Sequence, residues 1–374
     1  MKNCKVIISG GGTGGHIFPA VSIANEIRNR FPDAEILFIG AEDRMEMERV
    51  PAAGYKIVGL PVSGLNRTHI FKNFGVIIKL MKSLRMAKKI IREFKPDIAI
   101  GVGGYASGPT LWMASSLNIP ILIQEQNSYA GVTNKLLGKR ASKICVAYRG
   151  MDKFFPEDRI VMTGNPVRRD LENVREKDSE ALGYFGLEAG KPVLLIVGGS
   201  LGARTINQGV EKGLKSLIDA GIQIIWQTGK FHYDSIKEKL KDTNYKGLWF
   251  SDFISRMDYA YATADLVVSR AGAGTISELC LMKKPAILVP SPNVAEDHQT
   301  KNACALSENN AAVLIPDNVA KDMLIPSAIE LLGNKEKLNN LSEHIALFAQ
   351  YNSAERIVDE AVKIMENGKG SINN

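Results

Sequence analysis

Glycine-rich turns follow two predicted strands of this 374-residue chain, and each turn carries residues that can bind phosphate. The first, GGGTGGH at 10–16, follows the apolar run 5–9, and the second, GGSLGAR at 198–204, follows the apolar run 193–197. A glycine turn between a strand and a helix leaves backbone N–H groups available at the positive end of the helix dipole. The pattern therefore predicts two anion sites, one in each half of the chain.

The first turn has the glycine spacing of a dinucleotide-binding loop, but other features favour a different ligand. A dinucleotide site also needs an acid at the end of the second strand, and here Glu42 comes late, beyond a glycine. Thr13 and His16 add a hydroxyl and an imidazole that a purely structural turn does not need. A pyrophosphate or sugar contact is favoured over an NAD site or a tight turn alone.

Two further polar segments belong to the first half of the chain. GVGGYASG at 101–108 is a second glycine loop, and QEQN at 124–127 follows the next predicted strand. Carboxyl ends of parallel strands meet at one edge of a sheet, where α/β folds bind ligands. We expect the two glycine loops to form a concave anion site. The QEQN segment is either a polar loop cap or a set of ligands for sugar hydroxyls.

In the second half, SRAGAGTISE at 269–278 carries the sharpest pattern. Thr275 stands where a helix would begin, and Glu278, three residues later, has the spacing of a capping box. The same carboxylate could instead accept hydrogen bonds from a ribose 2′,3′-diol. His298 and Gln299 follow the next strand and loop, so they could reach the same ligand.

Other chemistry is not supported by the sequence. There is no D-x-D pair and no Walker A loop, so no metal site is expected. The five histidines are dispersed: His16, His69, His232, His298 and His344. Four scattered cysteines fit buried thiols in a reducing compartment rather than a disulfide framework. No apolar run predicts a membrane span or a signal peptide.

A basic segment, 67–92, accounts for the positive charge of the chain. The formal net charge is +7, and this segment alone contains eight cations and no acid: Arg67, Lys72, Lys79, Lys82, Arg85, Lys88, Lys89 and Arg92. Apolar residues interleave with them. The segment is either a core-packed helix with a solvated basic face or a patch that binds anionic lipid, which is the favoured interpretation. Nucleic acid is disfavoured because no nucleic-acid motif accompanies the charge.

Both halves alternate short, continuously apolar strands with helical patterns, which is typical of parallel sheets covered on both faces. The predicted fold is α/β, with two doubly wound Rossmann-like domains facing across a cleft. The predicted domains are 1–164, 165–340 and a pair of C-terminal helices within 341–374 that pack back on the first domain.

Taken in order, the motifs resemble those of the MurG family of bacterial UDP-N-acetylglucosamine transferases. They are GGTGGH at 11–16, GGY at 103–105, QEQN at 124–127, TGNPVR at 163–168, GGSLGA at 198–203, GAGTISE at 272–278 and HQ at 298–299. The resemblance implies a GT-B fold and an inverting transfer of N-acetylglucosamine from UDP-N-acetylglucosamine to the N-acetylmuramyl 4-hydroxyl of lipid I, giving lipid II. It also implies a peripheral protein on the cytoplasmic face of the bacterial membrane, with no cofactor and no metal.

The resemblance also implies roles for individual residues. Ser200 would contact the donor phosphates, Glu278 would contact the ribose, and the backbone at Ile254 would contact the uracil. His16 is the candidate general base, with Glu125 in reserve. The remaining candidate substrate contacts lie on strand-end loops: Thr13, Gly14, Gly15, Tyr105, Asn127, Arg168, Ala273, Gly274, Thr275, His298 and Gln299.

Three alternatives share parts of this pattern. A UDP-sugar epimerase of the same fold would not need the basic apolar segment. A glycolipid-forming transferase would share the donor site but use a diacylglycerol acceptor. A non-catalytic membrane scaffold would bind the UDP-sugar without turnover.

Overall fold

The computed structural model describes residues 4–63, 73–167, 171, 179–243 and 245–370. The chain divides into two units. Unit 1 comprises Met1–Val167 and Gln350–Asn374, and unit 2 comprises Arg168–Ala349. The boundaries expected from the sequence, 164/165 and 340/341, lie three and nine residues before these, and of the two C-terminal helices expected to pack on the first domain only the last one belongs to unit 1.

Unit 1 is built on a seven-stranded parallel sheet with the order β3-β2-β1-β4-β5-β6-β7. Its strands are β1 (Lys5–Ser9), β2 (Glu35–Ala41), β3 (Lys56–Leu60), β4 (Ile98–Gly101), β5 (Ile121–Glu125), β6 (Lys143–Val146) and β7 (Ile160–Met162). The strand order reverses between β1 and β4. The helices that follow these two strands, α1 and α4, pack on opposite faces of the sheet, and the crevice at the carboxyl edge between them is where such folds bind ligands.

Helices cover both faces of this sheet. They are α1 (Gly14–Arg30), α2 (Glu46–Ala52), α3 (Asn73–Phe94), α4 (Ser107–Ser116), α5 (Val132–Gly138) and the last helix of the chain, α14 (Ser353–Gly370). Helix α14 packs against α1, and its apolar residues join the core that contains Val6 and Ile8 of β1. Arg30 of α1 forms an ion pair with Asp359 and donates a 3.1 Å hydrogen bond to the carbonyl of Glu355.

Unit 2 has a six-stranded parallel sheet with the order β10-β9-β8-β11-β12-β13. Its strands are β8 (Val193–Val197), β9 (Gln223–Gln227), β10 (Leu248–Ser251), β11 (Leu266–Ser269), β12 (Ala286–Leu288) and β13 (Val313–Leu314). The order reverses between β8 and β11, so unit 2 repeats the crevice of unit 1. The two doubly wound sheets confirm the predicted fold class.

The helices of unit 2 complete its two outer layers. They are α6 (Ser179–Tyr184), α7 (Arg204–Asp219), α8 (Tyr233–Leu240), α9 (Met257–Thr263), α10 (Ala273–Leu281), α11 (His298–Ser307), α12 (Asp317–Leu332) and α13 (Lys335–Ala346). The long helices α7 and α12 pack on each other, and their apolar faces form one core with Trp226 of β9. Leu341 and Ile345 of α13 are buried, and α13 contacts α10 and α12.

Strand β3 and helix α2 have no clear sequence pattern, because β3 contains glycine and α2 is short and contains Pro51. Pro19 suits the first turn of a helix, but helix α1 begins at Gly14, so Pro19 lies within it. Glycine disfavours helix intrinsically, but at this position the strand-to-helix turn determines where the helix begins.

The chain returns to unit 1 beside Gly164, which closely approaches the segment leading into α14. Gly164 has φ +81°, and a Cβ there would overlap the Cβ of Gln350 and lie 2.6 Å from Ser353 Oγ. Arg356 of α14 donates to the carbonyl of Met162 in β7. These contacts tie α14 to the last strand of the sheet.

Gly164→Ala should therefore destabilise unit 1. The left-handed backbone costs about 1–2 kcal/mol and the overlap about 1–3 kcal/mol, a total loss of about 2–5 kcal/mol in the free energy of unfolding. The matched control is Gly150→Ala, since Gly150 has φ +71° but a Cβ added there would meet no atom within 4 Å. Urea unfolding of the full chain measures both variants, and equal losses would contradict the proposed role of the α14 contact.

Candidate active site

The first glycine loop lies in the crevice of unit 1, as its place after β1 predicts. Helix α1 begins at Gly14, and Thr13 is its N-cap residue with extended backbone and no side-chain capping bond. Thr13 and Gly15 are exposed, and Gly14 is half-buried. The first turn of α1 therefore presents its amides and the Thr13 hydroxyl at the surface, where they can bind an anion.

His16 is held by the loop that precedes it. Its Nδ1 lies 3.0 Å from the carbonyl oxygen of Gly11 and 3.2 Å from Thr13 Oγ1. Because a carbonyl only accepts, the bond to Gly11 places the proton on Nδ1 and leaves Nε2 as the basic nitrogen. A Cβ at Gly103 would lie 2.9 Å from Nε2, so the absence of a side chain there leaves room beside the basic atom.

The second glycine loop packs directly on the first. A Cβ at Gly104 would overlap the carbonyl oxygen of Gly11 and lie 3.0 Å from the Gly11 nitrogen. Only glycine permits this approach. Tyr105, the next residue, is 53% exposed. The expected adjacency of the two loops is thus present within unit 1.

Glu125, the second candidate for the general base, is a buried member of the QEQN segment. Its carboxylate accepts hydrogen bonds from the amides of Asn127 (3.1 Å) and Gly131 (3.0 Å) and from Asn134 Nδ2 (2.9 Å). Burial raises the pKa of Glu125, and these hydrogen bonds act in the opposite direction. In this arrangement the side chain organises the loop that leads into α5.

The other members of QEQN divide between the interior and the surface. Gln124 donates to Asn165 Oδ1 (2.8 Å), Asn165 donates to the carbonyl of Gln126 (3.0 Å), and Gln126 donates to the carbonyl of Val102 (2.7 Å). Both glutamines are buried, whereas Asn127 is half-buried. The network links β4, β5 and the segment after β7, a role for Asn165 that the sequence did not indicate. Arg168 lies outside the described residues.

In unit 2 the glycine loop at 198–204 borders a cavity of about 510 Å³ at the carboxyl edge of the sheet. Gly198, Gly199 and Arg204 line it from the loop and the first turn of α7, and Gln299 lines it from α11. Ser200, on the same loop, is exposed, and its carbonyl accepts from the amide of Lys230 (3.1 Å). Glycine amides, a helix N-terminus and a cation suit a diphosphate.

Arg270 and Asp317 are functional candidates that the sequence analysis missed. They form a 2.5 Å ion pair at the wall of this cavity, where Arg270 also donates to the carbonyls of Val289 and Pro290 (3.1 Å each). The pairing joins the loop after β11 to the start of α12. The sequence places the partners 47 residues apart, so no local pattern reveals the pair.

Glu278 is not part of a capping box. Helix α10 begins at Ala273, with Gly272 as its N-cap and no side-chain cap, so Glu278 lies more than one turn inside the helix. It is half-buried, and its Oε2 accepts a 2.9 Å hydrogen bond from the hydroxyl of Tyr261, a residue only 1% exposed.

The start of α10 is built from small residues. Ala273 is buried, Gly274 and Thr275 are half-buried, and a Cβ at Gly274 would meet no atom within 4 Å. Open space beside the first turn lets a ligand approach the backbone closely.

The remaining predicted donor contacts flank these elements. Gln299, in the first turn of α11, accepts from the amide of Ser291 (2.9 Å), and the neighbouring His298 is half-buried. Ile254 lies between β10 and α9 and is buried, with 1% of the residue exposed.

Neither metal nor thiol chemistry finds support in the described part of the chain. Within it, no group of three or more histidine, cysteine, aspartate or glutamate side chains could hold a metal ion. Burial raises the pKa of Cys145 and Cys280 to about 12, so both thiols stay protonated and serve as core residues.

Comparison with known proteins identifies the family. The glycosyltransferase family 28 N-terminal domain matches residues 6–146 and the family 28 C-terminal domain matches residues 193–357. A UDP-N-acetylglucosamine--N-acetylmuramyl-(pentapeptide) pyrophosphoryl-undecaprenol N-acetylglucosamine transferase of Parabacteroides distasonis is 63% identical, covering 98% of this chain and 100% of the relative. Its counterpart from Porphyromonas gingivalis is 59% identical, covering 98% of this chain and 97% of the relative.

Solved structures agree with this relationship. The crystal structure of Acinetobacter baumannii MurG has a TM-score of 0.78 and 28% identity, covering 96% of this chain and 99% of that one. A putative UDP-N-acetylglucosamine 2-epimerase from Listeria monocytogenes has a TM-score of 0.68 at 14% identity, covering 96% and 95%, and shows only a shared fold. Fold alone does not separate transferase from epimerase, whereas the sequence identities do: the chain belongs to the MurG family of glycosyltransferases, the family whose motifs it carries in order.

Proposed function

We propose that this chain transfers N-acetylglucosamine from UDP-N-acetylglucosamine to the N-acetylmuramyl 4-hydroxyl of lipid I, the undecaprenyl-pyrophosphoryl-N-acetylmuramyl-pentapeptide, giving lipid II. The observation that carries the proposal is the Tyr261–Glu278 pair in the unit that holds the glycine-lined cavity, in a chain up to 63% identical to transferases of that name. An oriented carboxylate together with a diphosphate site is suited to a nucleoside diphosphate sugar.

Unit 2 binds the donor in this proposal. Glu278 accepts from the ribose hydroxyls, and the backbone at Ile254 hydrogen-bonds the uracil. The amides of the loop that contains Ser200 and the first turn of α7 bind the diphosphate. Gln299, with Thr275 and Arg168, contacts the sugar or the β-phosphate.

Unit 1 supplies the acceptor site and the base. The acceptor 4-hydroxyl attacks the anomeric carbon, the bond from that carbon to the diphosphate oxygen breaks, and UDP leaves with the electron pair. The configuration at the anomeric carbon inverts. His16 Nε2 takes the hydroxyl proton, because its Nδ1 already carries one toward Gly11. We favour His16 over Glu125, which is only 1% exposed.

The negative charge that develops on UDP is stabilised by fixed dipoles. The glycine loop and the N-terminus of α7 border the cavity, so their backbone dipoles are in place before charge appears. Arg204, in the first turn of α7, adds a full positive charge.

We also propose that unit 1 docks on an anionic membrane surface at the cytoplasmic face. The outer side of α3 presents four apolar side chains that are 44–55% exposed: Ile77, Ile78, Leu80 and Met81. Lys79 and Lys82 are exposed among them, whereas Ala87 and Ile91 face the core. Lys72 of the basic segment lies outside the described residues. Among the described helices, none is long and apolar enough to cross a bilayer, and α3 instead suits an interfacial position.

The transfer itself is tested with radiolabelled UDP-N-acetylglucosamine and a lipid I analogue. We expect label to move to the analogue in the β configuration. An epimerase would instead convert the UDP-sugar without an acceptor, and a scaffold would bind UDP without turnover. Either result would overturn the proposal.

Removing divalent ions should leave turnover near its starting value, because fixed amides and cations stabilise the leaving group. The measurement is the same assay before and after exhaustive treatment with EDTA. A loss of activity that magnesium or manganese restores would show that a metal contributes to the reaction.

Glu278→Ala should weaken UDP binding by about 1.5–3 kcal/mol, the range for hydrogen bonds to a charged group. Tyr261→Phe should weaken it by about 0.5–1.5 kcal/mol, because the carboxylate loses its orienting hydroxyl. Calorimetric titration with UDP measures both affinities.

The matched control for this titration is Glu180→Ala. Glu180 also accepts from a tyrosine hydroxyl in unit 2, that of Tyr259 at 2.5 Å, but it is exposed. We expect its UDP affinity to equal that of the unchanged protein. A folded Glu278→Ala variant with unaltered affinity would argue against the ribose contact.

Reversing the charge of Lys79 and Lys82 to glutamate should weaken binding to anionic vesicles at least about tenfold, since each cation near such a surface contributes about 1 kcal/mol. The control variant Lys321→Glu/Lys335→Glu makes the same charge change on exposed residues of unit 2. Co-sedimentation at two salt concentrations measures binding. Equal losses of vesicle binding in both variants, or no loss in Lys79→Glu/Lys82→Glu, would show that the exposed face of α3 is only solvated and does not bind the membrane.

A further inference from the structure

A buried carboxylate, Glu46, occupies the underside of the first glycine loop. It is the first residue of α2 and has no exposed surface. Its Oε2 accepts a 2.8 Å hydrogen bond from the amide of Gly12, and its Oε1 accepts a 3.0 Å bond from the amide of Ala41 at the end of β2. One side chain therefore joins the loop after β1 to the neighbouring strand.

The surrounding backbone leaves space for this carboxylate. A Cβ at Gly11 would overlap Glu46 Oε1, and a Cβ at Gly40 would lie 2.7 Å from Glu46 Cγ. Any side chain at either position would have to displace the carboxylate. The two glycines are thus explained by Glu46 and not only by the turn.

The Gly12 amide belongs to the kind of loop that binds a pyrophosphate in dinucleotide folds. In this chain that amide already donates to an internal anion. The carboxylate takes the place that a nucleotide phosphate would need at Gly12, while the amides in the first turn of α1 remain on the exposed side of the loop. The loop is thereby fixed without a nucleotide.

Fixing Gly11 and Gly12 also fixes the base. The carbonyl of Gly11 accepts from His16 Nδ1 at 3.0 Å, and the second glycine loop rests on Gly11 through Gly104. A shift of the Gly11–Gly12 peptide would turn this carbonyl away from the imidazole and would move the surface on which the second loop packs.

We infer that Glu46 is a positioning residue for the transfer: as an internal anion it holds the first glycine loop in the conformation that orients His16 and the acceptor-binding amides. This inference rests on the proposed function for the role of His16, but the contacts of Glu46 do not depend on it. Glu46 touches neither substrate and acts through the loop.

The experiment measures turnover of the full chain with a lipid I analogue for Glu46→Ala and Glu46→Gln. For Glu46→Ala we expect kcat to fall by about a hundredfold, the effect of a misplaced catalytic group, with UDP affinity within about twofold of the unchanged protein. Glu46→Gln keeps one acceptor oxygen, so its kcat should lie between that of the unchanged protein and that of Glu46→Ala. It also provides a test if the alanine variant does not fold.

The control variant is Glu26→Gln. Glu26 is another buried acid of unit 1, 3% exposed, but it pairs with Arg30 at 2.6 Å on the far part of α1. It should retain kcat even if stability falls. If both glutamine variants lower kcat in parallel with their melting temperatures, Glu46 has only a structural role and the inference is overturned.

A second measurement separates this inference from the proposed function. In protein labelled with ¹⁵N-histidine, the His16 signal, assigned from its loss in His16→Asn, reports which ring nitrogen carries the proton. We expect the Nδ1–H form in the unchanged protein and a shifted signal in both Glu46 variants. An unchanged His16 signal would overturn the inference, whereas absence of transfer with a shifted signal would overturn only the proposed function.

Discussion

In a parallel sheet, a crevice forms at the carboxyl edge where the strand order reverses, and in each unit of this chain glycine loops lie at that crevice. The strand order reverses between β1 and β4 in unit 1 and between β8 and β11 in unit 2. Backbone amides at these turns have no partner within the sheet, so they must bind a side chain, water or a ligand. The arrangement of loops, helix starts and buried acids in both units follows from this requirement.

The two units meet the requirement differently. In unit 1, Glu46 and Glu125 lie under the surface and accept backbone amides, so the chain itself provides the anions that stabilise the loops. In unit 2, the loop after β8 borders an open cavity, and the acid of α10, Glu278, is oriented by a tyrosine rather than by amides. The first arrangement fixes the loop that contacts His16, whereas the second leaves an open cavity beside the loop.

Much of the fold could be predicted because the parallel strands are continuously apolar and the glycine turns mark their ends. The predicted bounds of β1 and β8 match the structure residue for residue. Strand β3 and helix α2 could not be predicted, since both are short and contain residues that break the pattern. The start of α1 at Gly14 could not be predicted, because intrinsic propensity opposes glycine where the turn requires helix.

The candidate site was predictable where its residues follow a strand directly and not where distant segments meet. Thr13 and His16 lie in the loop and helix start that directly follow β1, whereas Glu278 lies more than one turn inside α10. Glu46 lies 34 residues from the amide that it binds, and its sequence neighbours are those of an ordinary surface helix. The QEQN segment has the composition of a polar surface loop, yet its two glutamines are buried. They can be buried because Asn165 and a backbone carbonyl accept the hydrogen bonds of their side-chain amides.

The return of α14 to unit 1 has a consequence for the order in which the protein folds during synthesis. Residues 168–349, all of unit 2, are translated before the helix that completes the core beside β1. Unit 2 is contiguous and can fold as soon as it emerges from the ribosome, whereas unit 1 must wait with one apolar face of α1 uncovered. Unit 1 is thus completed only after unit 2, and the apolar face of α1 stays uncovered until α14 has been translated.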